Sequence, residues 1–215
     1  MNGIEVRLTE VELEKCRQFA KLSAWTQQGI EFGQRDTSDR GIRETARDTL
    51  IGKVAEVAVA KHLRGYGVNS PVNFEIYGDF AGDDYDIRIF KWDVDIKATE
   101  RGKWLMIEHD RLIKRKRQRF NMLPDALAFC HTEMNGNDAT GLVVINGLIT
   151  LPKYLEKARQ LQKGDCIPNT SARLQADNYA VEQGDLLNDW KTIVDYCSRN
   201  YPPSKGAINI PWSEK

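Results

Sequence analysis

Two segments near the middle of the chain, YDIRIF (85–90) and WDVDIKA (92–98), alternate apolar and polar residues and read as consecutive strands with a tight turn between them. Alternation on the second sets Asp93, Asp95 and Lys97 on one face and Val94 and Ile96 on the other. Upstream, TLIGKVAEVAVAKHLRGYG (49–67) repeats apolar residues at helical spacing and stops at Gly65 and Gly67. Thr9 and Glu12 form a capping box, which predicts a helix through Leu13, Cys16, Phe19 and Ala20 towards Trp25. The same reading predicts further strands at 72–77, 103–109, 126–132 and 141–149. It places helices at 110–120, from Leu151-Pro152 through Ala158, and at 186–198.

That order of elements is an α/β (α+β) arrangement, a mixed sheet flanked by helices. The polar stretch 33–41 and the Gly/Asp-rich stretch 78–84 read as loops. A chain of 215 residues fits one domain over 1–215. Its core is expected at about 42–160, with a helix at 9–32 and an extension at 161–215 packed on it. Trp190, Tyr196 and Tyr201 are expected to fix that extension to the core.

Composition narrows the setting. Thirty-one basic residues balance 31 acidic ones, so attraction to nucleic acid must be local. No apolar run approaches a membrane span and no signal-peptide pattern opens the chain, so a cytoplasmic protein without membrane contact is expected. The four cysteines lack paired spacing and read as reduced thiols. His62 reads as a helix-surface residue and His131 as a strand end, and His109 is the histidine nearest in sequence to the acidic strands.

The candidate chemistry sits on the first two strands and the helix before them. Asp86 on one strand and Asp95 with Lys97 on the next bring carboxylates and an ammonium together, as a hard cation held against a phosphate requires. Glu56 lies among Val54, Ala55, Val57, Ala58, Val59 and Ala60, so its carboxylate is expected to be semi-buried. Burial there demands a counter-charge: a metal, a lysine across a cleft or a neighbouring arginine. Asp189-Trp190-Lys191 repeats the D-x-K triplet, but within helical spacing, and reads as the solvated side of an amphipathic helix.

Glu56 in GKVAEVAVAKHL, Asp86 in DDYDIRI, and Asp95 with Lys97 in VDIKAT resemble the PD-(D/E)XK nuclease superfamily over roughly residues 50–160. The resemblance implies a restriction-endonuclease-like fold with an αβββαβ core. It also implies Mg²⁺, for which Mn²⁺ can substitute, bound by Glu56, Asp86, Asp95 and the backbone carbonyl of Ile96. Glu56, Asp86, Asp95 and Lys97 would be the catalytic set, with Lys97 assisting the attacking water or steadying the transition state. Tyr85 stands where the family often has proline, and Asp83 or Asp84 remains an alternative to Asp86 as ligand.

Between Arg101 and Arg119 eight basic residues face two acidic ones. Arg111, Lys114, Arg115, Lys116, Arg117 and Arg119 are therefore candidate contacts to the phosphates of double-stranded DNA. Arg35, Arg40, Arg43 and Arg47 form a second, weaker candidate surface. The function implied is a metal-dependent DNA endonuclease, with restriction, phage defence, junction resolution and repair all open. A two-fold homodimer would supply two sites for a double-strand cut. The alternatives are a non-catalytic nucleic-acid- or partner-binding protein that keeps the fold, and a hydrolase of small phosphate esters. The basic block counts against the last.

Overall fold

The computed structural model describes residues 3–26, 31–32, 35–36, 41–76, 85–118, 123–168, 170–204 and 210, with backbone alone at 31–32, 35–36 and 114–118. Alternation in IEVR forms a strand that the sequence reading missed, β1 (Ile4–Arg7). Helix α1 (Glu10–Thr26) follows the expected capping box: Thr9 N donates to Glu12 Oε2 at 2.8 Å and Glu12 N donates to Thr9 Oγ1 at 3.3 Å. The helix expected to reach residue 32 has its bound at Thr26, and the short strand β2 (Glu31–Phe32) stands on its expected last turn, paired with β3 (Arg35–Asp36) inside the stretch that polar composition reads as loop. Helix α2 (Ile42–Arg64) begins one to two turns before the expected start and ends at the Gly65 cap, where Gly65 N donates to the His62 carbonyl.

The acid-bearing pair forms as expected: β4 (Ile87–Ile89) lies antiparallel to β5 (Trp92–Thr99), with Ile87 opposite Val94. Then come β6 (Trp104–Glu108), α3 (His109–Gln118), β7 (Ala126–Asn135), β8 (Asp138–Thr150) and α4 (Leu151–Lys157). After these, β9 (Arg159–Leu161), β10 (Asn178–Glu182) and α5 (Trp190–Arg199) complete the chain. The result is mixed α+β. One five-stranded sheet has the order β1-β8-β7-β5-β4, and a three-stranded sheet has the order β6-β10-β9.

The middle strand explains the layering. Ala126, Leu127, Ala128, Phe129 and Cys130 are all buried, so β7 is covered on both faces. Ala126, Ala128 and Cys130 pack with α1, α2 and α5 through Leu13, Val54, Val59 and Trp190. Leu127 and Phe129 pack with the opposite layer, which contains Leu105, Leu112, Tyr154 and Tyr179. A parallel β5–β7 ladder joined through α3 fixes the register, with Asp95 opposite Leu127.

Three expectations are corrected. Residues 72–76 form no strand: Asn73 Oδ1 accepts from Glu75 N at 2.8 Å, a local turn that removes that N–H from any ladder, and Tyr77 lies outside the described residues. The strand β6 follows β5 in sequence but pairs with β10, five residues against five, in the second sheet. The helix expected at 186–198 begins at Trp190, because Asp189 is its cap and accepts from Thr192 N. Trp190 is buried as expected, whereas Tyr196 and Tyr201 are exposed.

Candidate active site

The four residues singled out in the sequence meet where the edge of the main sheet opens. Strand β4 begins at Ile87, so Asp86 stands one residue ahead of it rather than within it. From there Asp86 N donates to the Val94 carbonyl at 3.2 Å, and Asp86 Oδ2 accepts from Ile96 N at 2.6 Å. The Asp86 side chain thus takes the place of the next rung of the ladder. Ile96 N points to this edge, and in a strand the carbonyl of the same residue lies on the same side. The Ile96 carbonyl therefore faces the gap beside Asp86, while its side chain is buried on the α2 face.

Asp95 comes from the opposite face of β5 and is 6% exposed. Its Oδ2 lies 2.8 Å from Lys97 Nζ, two residues along the same face. Glu56 reaches the edge from α2, three residues after the buried Lys53, whose Nζ lies 2.5 Å from Glu56 Oε2 and 2.9 Å from the Asn73 carbonyl. A counter-charge for Glu56 is thus a lysine one turn earlier, a partner the sequence reading had not considered.

The proton affinity of Asp86 reports the convergence. As a whole residue Asp86 is of intermediate exposure, but its carboxyl group is surrounded by protein, and that environment governs its charge. Burial raises its pKa well above the ordinary carboxylate value. The negative charges of Asp95 and Glu56 raise it further, Lys97 opposes them, and Asp95 lies within hydrogen-bonding reach. Three carboxyl groups therefore compete for two lysines at one place.

These donors fit a hard divalent cation: they are all oxygen, two carboxyls are strongly desolvated, and added positive charge relieves their repulsion. Glu56, Asp86, Asp95 and the Ile96 carbonyl are the groups that could hold it. Among the described residues, no three carboxylate, imidazole or thiol side chains are already gathered as a coordination shell. The reason is visible in the contacts: Lys53, Lys97 and the Ile96 amide each engage one of the acids.

A small pocket of about 70 Å³ adjoins Asp95 and Lys97, bounded by Met106, Ile107, Glu108, Arg111 and Leu112. Glu108 was not a sequence candidate. It arrives here because β6 leaves the main sheet and turns its end towards β5. Its buried Oε2 lies 3.2 Å from Arg111 Nε without hydrogen-bond alignment. Nothing in the local sequence marks it, since only the β6–β10 pairing places it there.

Other candidates are separated from this point. Asp93 shares the face of Asp95 but is bound to Arg88, Nη2 to Oδ1 at 2.8 Å. His109 turns to the Tyr179 hydroxyl at 3.2 Å, and His131 pairs with the Gly102 carbonyl and Asn146. His62 is half-buried rather than fully on the helix surface, and packs edge-on between Trp190 and Tyr66. Arg111 is half exposed at the pocket, and Lys114, Arg115, Lys116 and Arg117 lie on α3 beyond it. Arg119, Asp83, Asp84, Arg40 and the rest of 78–84 fall outside the described residues. No helix among the described residues is long and apolar enough to cross a membrane.

Compared with known proteins, the chain matches no family model, no curated protein and no solved structure.

Proposed function

We propose that this chain is a Mg²⁺-dependent DNA endonuclease that hydrolyses phosphodiester bonds with a PD-(D/E)XK site on a restriction-endonuclease-like fold. The observation that carries the reading is the placement of Asp86, Asp95 and Lys97 around Ile96 at one sheet edge, with Glu56 reaching it from α2. The helix, the antiparallel β4–β5 pair and the parallel β5–β7 crossover through α3 also support it. The chain departs from the αβββαβ order in having no strand at 72–76 and in sending β6 to a second sheet.

When bound at such a site, Mg²⁺ supplies Lewis-acid charge to a phosphate oxygen and lowers the pKa of a water. The chain's own groups do the rest. Asp86, Asp95 and Glu56 provide the negative charge that retains the cation against water. Lys97, held 2.8 Å from Asp95 and partly exposed, is positioned to orient an attacking water and to offset charge on the phosphoryl oxygens. Arg111 at the pocket mouth and the α3 cations beyond it would hold neighbouring phosphates.

One observation favours a second reading, a nucleic-acid- or partner-binding protein that keeps this fold without cutting. Lys53 and Lys97 already neutralise Glu56 and Asp95, so two of the three acids have a counter-charge without a metal. Incubating supercoiled plasmid and linear duplex with Mg²⁺, Mn²⁺ or EDTA, beside Asp95→Ala, separates the two. Metal-dependent nicking or linearisation that Asp95→Ala lacks supports the nuclease. Intact DNA with salt-sensitive binding supports the second reading, and neither activity nor binding removes both.

A further inference from the structure

Two grooves meet at Arg47, on the side of the site away from α3. One, of about 410 Å³, runs between α2 and the end of β5, over Asp48, Ile51, Thr99, Glu100 and Arg101. The other, of about 450 Å³, continues past Lys21, Arg43, Asn135 and Asn137, between α1, α2 and the β7–β8 turn. Helix α2 runs antiparallel to β5 here, since Arg47 meets Glu100 whereas Glu56, further along the helix, acts on Asp86 beside Ile96. Helical and extended rises both put Arg47 and Glu100 about 15 Å from the candidate acids.

The centre of the groove is a carboxylate held by one guanidinium, with a second, exposed one nearby. Glu100 Oε2 lies 2.5 Å from Arg47 Nη2, and Glu100 Oε1 lies 3.7 Å from Arg101 Nη2. Thr99 Oγ1 donates to the Arg101 carbonyl at 2.6 Å and accepts from Arg101 N at 3.2 Å, which folds the chain after β5 so that Arg101 returns over Glu100. Arg47 Nε is further fixed by the Gly136 carbonyl at 3.3 Å. Guanidinium forks bind carboxylate and phosphate through the same planar geometry.

We infer that Arg47, Glu100 and Arg101 form a phosphate subsite in which the Glu100 carboxylate stands in for a nucleic-acid phosphate, and that a DNA strand leaves the candidate site along the α2–β5 groove. The inference rests on the reading of the site as one that acts on DNA. A phosphodiester arriving here displaces Glu100, which is 28% exposed at the side chain and can turn to solvent. Arg47 and Arg101 then pair with the phosphate, and Arg43 and Lys21 continue the path. At 15 Å the subsite lies about four steps along a duplex whose strand carries one charge per ~3.4 Å.

A clamp that merely ties α2 to β5 would use the same ion pair, so the test must separate the two. Binding of a fluorescein-labelled DNA duplex is followed by anisotropy in EDTA across a salt series, for wild type, Glu100→Gln, Arg47→Gln and Arg101→Gln. Glu100→Gln is expected to tighten binding several-fold. Arg47→Gln is expected to weaken it about tenfold, which is ~1.4 kcal/mol, and to reduce the salt slope by about one. Both substitutions break the same pair, and Arg47→Gln also loses the Gly136 bond, so both should lower the melting temperature and the opposite signs in affinity are the diagnostic. Equal weakening by both, or no change in either, would overturn the subsite. Wild type that cleaves DNA while Arg47→Gln binds normally removes only this strand path. Wild type that neither binds nor cleaves removes the underlying reading as well.

Discussion

Ile96 N donates a 2.6 Å hydrogen bond to Asp86 Oδ2, joining the acid ahead of one strand to the residue between the acid and the lysine of the next. Strand β4 starts only at Ile87, and among the described residues no backbone carbonyl takes that amide. A bond to the neutral carboxyl, the form that this environment favours, contributes about 1 kcal/mol. It holds Asp86 against Asp95, so any change at one acid is felt at the other.

Asp95→Ala should therefore abolish Mn²⁺ binding measured by calorimetry and abolish plasmid cleavage together. Lys97→Ala should keep Mn²⁺ binding and lose cleavage by roughly 10²–10³-fold, the usual cost of removing one transition-state charge. Retained cleavage in Lys97→Ala would sink the role given to that lysine.

Lys53 and Glu56 are 7% and 13% exposed at their side chains, so the pair is largely out of water. Removing one member strands the other charge, at a cost of roughly 3–5 kcal/mol. Lys53→Met should lower the unfolding free energy from urea titration by that amount in metal-free protein, and adding Glu56→Gln should restore most of it. A single-mutant loss below about 1 kcal/mol would show that solvent reaches Glu56 more freely than its position implies.

Burial lowers the pKa of His62, whose Nε2 has no hydrogen-bond partner among the described residues beside Trp190. The unfolded chain then binds a proton at higher pH than the folded one. The stabilising contribution is present above the ordinary histidine value and is lost as pH falls through the depressed one. Denaturant titrations from about pH 7 to about pH 5 should show the wild type losing more stability than His62→Phe. Parallel curves would contradict a protonation cost at His62.

Gly147 sits at a bulge in β8, where pairing shifts between Phe129 opposite Gly147 and Cys130 opposite Ile145. Its φ is +146°, and an added Cβ would lie 2.6 Å from the Leu187 carbonyl, which packs there while Leu187 bridges to Leu148. Gly147→Ala should cost roughly 3 kcal/mol through strain and overpacking. Gly136→Ala, at φ +64° with nothing within 4 Å, should cost only about 1 kcal/mol. Similar melting temperatures for the two variants would contradict the close approach at Leu187.

Much of the scaffold was legible because its signals are local. The Thr9–Glu12 box, the apolar period of α2 with its Gly65 stop, and the alternation of β5 each act within a few residues. The strand expected at 72–77 failed for an equally local reason that apolar alternation does not register: the Asn73 side chain bonds the backbone two residues on. The missing strand β10 and the placement of β6 failed differently. Their pairing joins residues some seventy apart, and neither segment carries a signal of its partner.

By itself the sequence determined which residue types stand on which element: Glu56 on a helix, Asp95 and Lys97 on one side of a strand, and Asp86 at the strand before it. The periods of 3.6 and 2 are properties of the backbone and need no partner to be read. Only the tertiary structure decided that Lys53 supplies the charge opposite Glu56, that β6 brings Glu108 to the pocket, and that Arg47 closes on Glu100. Those contacts depend on which elements pack together and at what register. The free energy that sets them is shared over two buried layers, not written in any one segment.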